Sequence, residues 1–215
     1  MRTILSATSH SLFQEQTLDR GKRERTRSAL LDSAISVFAS KGFEATRITD
    51  ITEHAGVANG TFYNYYRDKQ EILNDVAIGL AVEIVRRIND ELADTINAIV
   101  RVVTATARVL EVARQEPEWI DVLLSSIPIV PELQSQVVRY LRQDLQMGLE
   151  QGYFHIEVDL LLVNQMLALL STAILLDRKI SKETTRRTCE AHLRLLGLPP
   201  VRAARQVEKA LSGLQ

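Results

Sequence analysis

Residues 43–69 constrain the fold of this 215-residue chain more than any other part of its sequence. Apolar residues at helical spacing, such as Ile48 and Ile51, stop at Gly56, and a second apolar pattern follows Val57. Glycine reaches positive φ at little steric cost, so it permits a tight turn between two helices. The segment therefore predicts two short helices joined at a sharp angle, an arrangement in which the second helix can enter the major groove of DNA.

The second of these helices is predicted over residues 58–65 and has an apolar face. Phe62 and Tyr66 lie four residues apart in the sequence, so they occupy the same side of the helix. We expect both rings to pack against Ile51 and Val57, which belong to the first helix and the turn. This packing would fix which side of the second helix faces outward.

The outward face of the second helix is small, polar and uncharged. Asn59 and Tyr63 lie four residues apart on it, with Gly60 and Thr61 beside them. Asparagine can form two hydrogen bonds to adenine, and threonine or tyrosine can bind a phosphate or contact a thymine methyl group. Glycine lets the backbone approach the DNA. We expect this face to read DNA, and the sequence leaves open whether Tyr65 belongs to it or to the core.

Charge is distributed unevenly along the chain. The formal net charge is −1, but residues 1–70 sum to +2 and the remainder to −3. Five basic residues and one acidic residue lie between Arg20 and Arg27, directly before the helix-turn-helix segment. This cluster is either the solvated start of a helix or a contact to phosphates or the minor groove, and both interpretations stay open.

Almost every other segment repeats apolar residues three and four positions apart, which predicts an all-α fold. We expect a flexible arm over residues 1–20, a three-helix helix-turn-helix domain over residues 21–68, and a helical regulatory and dimerisation domain over residues 69–215. Beside the two motif helices, the predicted helices are approximately residues 22–41, 68–92, 95–116, 117–124, 131–150, 159–179, 182–196 and 201–214.

Two helix starts have sequence signals of capping. The hydroxyl group of Thr46 can accept a hydrogen bond from a free N–H at the start of the first motif helix. Asp68, followed three residues later by Glu71, has the spacing of a capping box at the start of a long helix.

Taken together, these residues resemble the DNA-binding region of the TetR/AcrR repressors. The resemblance covers about residues 25–73, and its many positions in register make it specific. The residues that carry it are Gly42, Phe43, Thr46, Ile51, Ala55, Gly56, Val57, Thr61, Phe62, Tyr63, Tyr65, Tyr66 and Lys69.

The resemblance implies a dimer that binds double-stranded DNA at a palindromic operator and a C-terminal domain that binds a small-molecule effector. Two features depart from the family pattern: Ala58 stands where serine is common, and lysine is common at the place of Asn59 or Gly60. Both departures can alter affinity and operator choice. Carried over position by position, the implied DNA contacts come from Thr46, Arg47, Asn59, Gly60, Thr61, Tyr63, Tyr65 and Lys69.

The helix predicted over residues 159–179 is apolar on nearly all sides, with more apolar surface than one buried face requires. It is either a central helix of its domain or part of a dimer interface together with residues 182–196, and the resemblance favours the interface. The ligand pocket is less defined, because aromatic and methionine residues at helical spacing also build ordinary cores. The candidate ligand-binding residues are Trp119, Tyr140, Met147, Tyr153, Phe154 and Met166.

Several functional classes are disfavoured. The single Cys189 cannot form an intramolecular disulfide, and the four histidines have no metal-ligand spacing, so no metal or other cofactor is expected. No glycine-rich phosphate loop or nucleophile–base set is recognisable, so we expect no enzymatic activity. The most apolar stretch is too short to span a bilayer, and the expected location is the cytoplasm.

We therefore expect a ligand-responsive transcriptional repressor that binds DNA as a homodimer and is released by its effector. The alternative is a similar DNA binder without a small-molecule ligand, acting constitutively or through a protein partner. An enzyme would need a polar catalytic cluster inside the C-terminal domain.

Overall fold

The computed structural model describes residues 12–15 and 21–213, and these residues form α-helices joined by turns, with no β-strand among them. None of the described helices is both long and apolar enough to cross a lipid bilayer. The helices are α1 (Leu12–Glu15), α2 (Lys22–Lys41), α3 (Ile48–His54), α4 (Asn59–Phe62), α5 (Lys69–Glu91), α6 (Ala98–Gln115), α7 (Pro117–Ser126), α8 (Pro131–Glu150), α9 (Leu160–Leu176), α10 (Lys182–Leu195) and α11 (Pro200–Ser212).

The helical periodicity predicted most of these elements correctly. Helices α2 and α8 have the predicted ends, and the others begin and end within a few residues of the expected positions. Gly42 and Gly197, at the ends of α2 and α10, adopt positive φ angles of 76° and 92°, which explains why the helices stop there. The prediction of an all-α protein is confirmed.

One compact unit contains the N-terminal helices. Among the described residues it comprises residues 12–15, 21–82 and 116–134, so it includes α1 to α4, the first part of α5, and α7. Helix α2 packs against α1, α3 and α7. The core of this unit is formed by buried side chains that include Leu30, Leu31, Ala34, Phe38, Ile51, Phe62, Tyr66, Ile72, Leu73 and Val76.

Part of the predicted flexible arm is packed instead. Leu12 is buried, and the backbone N–H groups of Phe13 and Gln14 donate to the Asp32 carboxylate at 2.9 and 3.0 Å. The ring of Phe13 rests on Gly79, where an added Cβ would lie 2.6 Å from it. Within the segment expected to be a flexible arm, Leu12–Glu15 is therefore a helical turn held by a buried leucine and a buried carboxylate. Residues 1–11 and 16–20 lie outside the described residues.

The second compact unit comprises Glu83–Gln115 and, among the described residues, 135–213. Helix α10 packs against α6, α9 and α11. Buried residues of these helices, such as Ile99, Val103, Cys189, Leu193 and Val207, form one continuous hydrophobic core.

The division between the two compact units does not coincide with the domain boundary predicted between residues 68 and 69. Helix α5 contributes residues 69–82 to the first unit and residues 83–91 to the second, and α7 belongs to the first unit although it follows α6 in sequence. The sequence-based boundary follows the end of the helix-turn-helix motif. The actual division follows packing, because α2 is covered by α7 as well as by α3.

Candidate nucleic-acid interface and ligand cavity

The turn between α3 and α4 has the predicted geometry. Gly56 adopts a φ of 67°, and the N–H of Gly56 donates to the carbonyl of Glu53 at 3.1 Å. The next N–H, that of Val57, donates to the Thr52 carbonyl at 3.0 Å, and the Val57 side chain is half-buried. Positive φ at Gly56 therefore ends α3 and redirects the chain into α4.

Helix α4 is shorter than predicted. It spans Asn59–Phe62, and the N–H groups of Tyr65 and Tyr66 then donate to the Phe62 carbonyl at 2.9 and 3.0 Å. These bonds form a turn that leads toward α5 and ends the regular helix. Ala58, at the N-cap position, forms no side-chain capping bond, as its methyl group dictates.

The two faces of the α4 segment point as predicted. Phe62 and Tyr66 are buried and their ring centroids lie 5.6 Å apart, whereas Asn59 and Gly60 are exposed. The Tyr63 side chain is 57% exposed although it contacts the edge of Phe62. Thr61 and Tyr65 are half-buried.

Thr46 has a different place from the one predicted. Only 3% of it is exposed, and its hydroxyl group donates to the Gly42 carbonyl at 2.7 Å. The N-cap of α3 is Arg47, whose N–H donates to the Asp50 carboxylate at 2.8 Å. The prediction of Thr46 as N-cap is wrong because its side chain secures the α2–α3 turn, which leaves it buried rather than on a DNA-facing surface.

Asp50 joins the end of α2 to the start of α3. Its carboxylate lies 2.8 Å from the Lys41 ammonium group. The hydrogen bond from Lys41, together with the one from the Arg47 N–H, lowers the pKa of Asp50 below its usual range. Arg47 itself is exposed at the start of α3.

Lys69 is also engaged within the protein. Its ammonium group donates to the carbonyls of Phe43 at 2.6 Å, Glu44 at 3.1 Å and Thr46 at 3.0 Å. The same nitrogen lies 4.4 Å from the centroid of the Phe43 ring. Since an ammonium group has three donors, this arrangement occupies all of them. Lys69 thus ties the start of α5 to the α2–α3 turn.

The basic run before the motif is partly exposed. Lys22, Arg23 and Arg25 are exposed at the start of α2, and Arg20 lies outside the described residues. Arg27 lies over the Tyr66 ring at 5.8 Å from its centroid and pairs with the Asp75 carboxylate at 2.5 Å. Arg27 therefore joins α2 to α5, whereas the other three are available at the surface.

The described start of α5 resembles the predicted capping box. The Asp68 carboxylate accepts a hydrogen bond from the Glu71 N–H at 2.9 Å. The Glu71 carboxylate accepts one from the N–H of Arg67 at 2.7 Å, one residue earlier than the capping-box pattern predicts.

A cavity of about 120 Å³ lies within the second compact unit. Five helices, α5, α6, α8, α9 and α10, contribute to its wall, which is mainly aliphatic with a few polar groups. Its lining residues are Val85, Ile88, Asn89, Val102, Ala105, Thr106, Val109, Leu141, Asp144, Met166, Leu167, Leu170 and His192.

Of the six predicted ligand-binding residues, Met166 lines this cavity. Trp119 is buried in α7, in the other compact unit, and the side chain of Tyr140 lies outside the described part of the chain. Met147, Tyr153 and Phe154 pack in or against the hydrophobic core of the second unit. Those three predictions are wrong for this cavity because aromatic and methionine side chains are used there as core.

Sequence reasoning missed the polar lining residues. Asn89 stands four residues after Val85, and Thr106 stands four after Val102, so each interrupts an apolar stripe that faces the cavity. This interruption is the signal that could have identified them. The aliphatic lining residues carry no comparable signal, because the same side chains would fill a solid core.

His192 is a buried core histidine. Its Nδ1 lies 2.9 Å from the Thr106 hydroxyl group, and its Nε2 lies 2.9 Å from the Met166 carbonyl oxygen. Burial lowers the pKa of His192, which favours the neutral ring. The neutral ring joins three helices: Nε2–H donates to the Met166 carbonyl, and Nδ1 faces the Thr106 hydroxyl group, which also bonds to the Val102 carbonyl at 2.8 Å. Within residues 12–15 and 21–213, no group of three His, Cys, Asp or Glu residues is placed to hold a metal ion.

Comparisons with known proteins agree with this geometry. The family described as "Bacterial regulatory proteins, tetR family" matches residues 30–76. The transcriptional repressor KstR2 of Mycobacterium tuberculosis is 25% identical over 152 residues, which cover 66% of this chain and 76% of the repressor. The crystal structure of RolR in complex with resorcinol is 25% identical, has a TM-score of 0.67, and covers 87% of this chain and 95% of that one.

Residues 30–76 match the TetR family, and the chain is similar in fold to solved TetR-family regulators. TetR-family proteins are DNA-binding transcriptional regulators and not enzymes. The fatty acid degradation regulator FadR from Bacillus halodurans has the same fold, with 19% identity and a TM-score of 0.64 over 83% of this chain and 96% of that one. Residues 30–76 extend from α2 into α5, so the family match contains the whole helix-turn-helix.

Proposed function

We propose that this TetR-family regulator is a homodimeric repressor that binds a palindromic operator and leaves it when a small molecule occupies the cavity. The observation that carries the proposal is the course of α5. This helix begins directly after the α4 segment, and its later residues Val85, Ile88 and Asn89 line the cavity. Helix α5 therefore contains both the start of the link to the DNA-reading segment and part of the ligand site.

The DNA-reading surface in this proposal consists of residues that the fold leaves accessible. Arg47, Asn59, Gly60 and Tyr63 are exposed, and Thr61 and Tyr65 are partly so. The polar, uncharged side chains among them suit contacts to base edges and phosphates, and the cationic Arg47 suits a phosphate. Thr46 and Lys69 act in this proposal as positioning residues, because their polar groups bind backbone carbonyls of the α2–α3 turn.

The dimer is supported by apolar side chains on α9 that their own chain leaves uncovered. Leu160, Leu161, Leu175 and Leu176 are 55–83% exposed, in a helix whose other face is buried. Burying each of these side chains contributes about 1.5–3 kcal/mol of stabilisation, which favours association with a second copy of this chain. A two-fold dimer would present two α4 segments to half-sites about one DNA turn (~34 Å) apart.

Ligand response is supported by the mainly aliphatic cavity and by the RolR structure, which was solved with resorcinol bound. A ligand that prefers one conformation of the second unit would bias the position of α5. Coupling between sites is usually about 1–3 kcal/mol, which would change operator affinity five- to 150-fold.

The DNA-binding part is tested on the duplex that the full chain selects from random DNA. Tyr63→Ala should weaken binding of that duplex by about tenfold or more, since one good contact is worth about 1–3 kcal/mol. Circular dichroism and sedimentation should show an unchanged fold and dimer. Unchanged affinity in a folded Tyr63→Ala variant would remove Tyr63 from the reading surface.

The ligand-response part is tested by screening metabolites and drugs for thermal stabilisation of the full chain. A ligand that binds only the folded state at a hundred times its Kd should stabilise it by about 2.7 kcal/mol. It should also dissociate the protein from its selected duplex. If no compound does either, the regulator without a small-molecule ligand is the better description.

A further inference from the structure

The size of the cavity limits what can occupy it. At about 120 Å³ it is slightly smaller than an engineered apolar cavity of about 150 Å³ that binds benzene. Sites for drug-sized ligands are usually about 300–1,000 Å³. The space is therefore close to the size of a single six-membered ring and too small to take up a long acyl chain or a fused ring system whole.

Most of the wall is aliphatic. Its residues include Val102 and Val109 of α6 and Leu170 of α9. Such a surface binds an apolar ring by dispersion and by release of water. No Lys or Arg stands among the described lining residues, so the wall offers no cation to a bound anion. A carboxylate or phosphate would lose its hydration there without a counter-charge.

Two polar atoms at the wall have no partner among the described residues. Arg101 donates from Nε to Asp144 Oδ1 at 2.6 Å and from Nη2 to Asn89 Oδ1 at 3.3 Å. These bonds leave Asp144 Oδ2 as an acceptor and Asn89 Nδ2 as a donor, since no hydrogen bond from the described residues reaches either atom. Both residues line the cavity, and both are fixed by the same guanidinium group.

A hydroxyl group complements this pair, because it donates one hydrogen bond and accepts another. It can donate to Asp144 Oδ2 and accept from Asn89 Nδ2. A hydrocarbon would leave both atoms unpaired, which costs binding energy in a closed site. An organic acid would place a second negative charge beside the Asp144 carboxylate.

We propose that the cavity binds an uncharged, hydroxylated, single-ring aromatic compound, with its hydroxyl group on Asp144 and Asn89 and its ring against the aliphatic wall. This assignment rests on the proposed function, in which the cavity is the effector site. It adds the chemical class of the effector and the two residues that recognise its polar group.

The test compares five compounds by isothermal titration calorimetry on the full chain: phenol, resorcinol, toluene, benzoate and decanoate. Phenol and resorcinol should bind about tenfold to a hundredfold more tightly than toluene, since a hydrogen bond to a charged group has that effect. Benzoate and decanoate should bind more weakly than phenol. The proposal is overturned if toluene or either acid binds as tightly as phenol, or if neither phenol nor resorcinol binds.

A variant tests the recognising residue. Asp144→Asn keeps the side-chain volume but replaces the carboxylate, so the preference for phenol over toluene should fall by about tenfold. Asp90→Asn is the matched control, because Asp90 is an exposed carboxylate outside the cavity wall. This variant should keep the preference of the natural chain for phenol over toluene. An unchanged preference in folded Asp144→Asn contradicts the assignment. If that variant does not fold, the comparison of phenol with toluene on the natural chain still decides.

Binding of the selected DNA duplex is measured in parallel and separates this inference from the proposed function. Release of the duplex by decanoate or benzoate but not by phenols would overturn the assigned chemical class and leave the ligand-responsive repressor standing. Absence of any selected duplex would overturn the proposed repressor, whereas tight binding of phenol measured by calorimetry would still support the assigned chemistry.

Discussion

At the scale of single residues, the helix-turn-helix separates positions that the fold uses from positions that it leaves accessible. Thr46 and Lys69 bind backbone carbonyls of the α2–α3 turn, and Phe62 is fully buried. Asn59 and Gly60, in contrast, are exposed. Substitutions in the first group should therefore lower stability, whereas substitutions in the second group should weaken DNA binding without lowering stability.

Gly60→Ala should separate the two effects. A Cβ added at Gly60 meets no atom within 4 Å, and the residue lies in a helical turn, so alanine should stabilise the fold by up to about 1 kcal/mol. The methyl group should still keep the backbone away from DNA and weaken operator binding about tenfold. Urea unfolding and fluorescence anisotropy measure the two quantities. Gly213→Ala, at the end of α11, is the control, and equal operator affinity in both variants would exclude a close approach at Gly60.

Lys69→Met should lower the stability of the fold, whereas Gly60→Ala should raise it. Methionine keeps most of the aliphatic stem but removes three hydrogen bonds to the carbonyls of Phe43, Glu44 and Thr46. We expect a loss of about 1–3 kcal/mol in the unfolding free energy without DNA, because those carbonyls lose a charged donor. Lys41→Met, which removes only an exposed pair with Asp50, should cost less than about 1 kcal/mol. A Lys69→Met variant of unchanged stability that nevertheless fails to bind DNA would instead assign Lys69 to a direct contact.

His192 predicts a loss of stability in mild acid. Its pKa in the folded protein lies below the usual value of 6.5, so the unfolded chain takes up the proton first as the pH falls. Stability should be retained above about pH 6.5 and fall by up to ~1.4 kcal/mol per pH unit below it, until the lower folded-state pKa is reached. Urea unfolding at several pH values should show a weaker pH dependence for His192→Gln. Parallel pH profiles for the two proteins would contradict this assignment.

At the scale of elements, periodicity predicted where helices form but not how each end is built. Helix α2 was predictable because a long apolar stripe ends at Gly42, which adopts positive φ. Helix α4 was predicted too long because the tyrosines at positions 63 and 65 continue the helical pattern while the backbone forms a turn. The packed turn Leu12–Glu15 was missed because four residues are too few for a periodic signal.

Gly148 in α8 is an element-scale constraint that periodicity cannot reveal. A Cβ at this position would lie 2.0 Å from two carbon atoms of the buried Phe154 ring. Gly148→Ala should therefore destabilise the protein by about 1–3 kcal/mol through overpacking, although alanine favours helices. Urea unfolding measures the change, with Gly60→Ala as a matched substitution of opposite expected sign. A stability equal to that of the natural chain would show that the Phe154 ring can move aside.

At the scale of the whole molecule, α5 and α8 each contribute residues to both compact units, and α5 is the one that follows the helix-turn-helix directly in sequence. The sequence predicted this helix as one continuous element, and its position as the link between motif and regulatory domain followed from its order in the chain. The cavity could not be predicted, because aliphatic residues on α5, α6, α8 and α9 reveal an enclosed space only after the helices are assembled. Among the six residues predicted to bind a ligand, Met166 lines the cavity, and the reason for predicting it applied equally to core residues.

The exposed leucines of α9 predict the assembly. Leu175→Glu, at a position that is 62% exposed, should convert the dimer to a monomer in sedimentation experiments because it places a charge in an apolar interface. The helical content should be retained, and operator binding should fall steeply because two half-sites no longer bind as one unit. Val201→Glu, on an 83% exposed residue of α11, should leave the dimer intact. A dimeric Leu175→Glu variant would place the interface elsewhere.

The central claim is that two copies of this chain read DNA through the segment from Asn59 to Tyr63. Selection of bound duplexes from a random DNA library by the full-length chain tests it most directly. We expect enrichment of a palindrome whose half-sites are centred about one helical turn (~34 Å) or a multiple of it apart. Enrichment of a single unpaired half-site, or no enrichment above background, would contradict it.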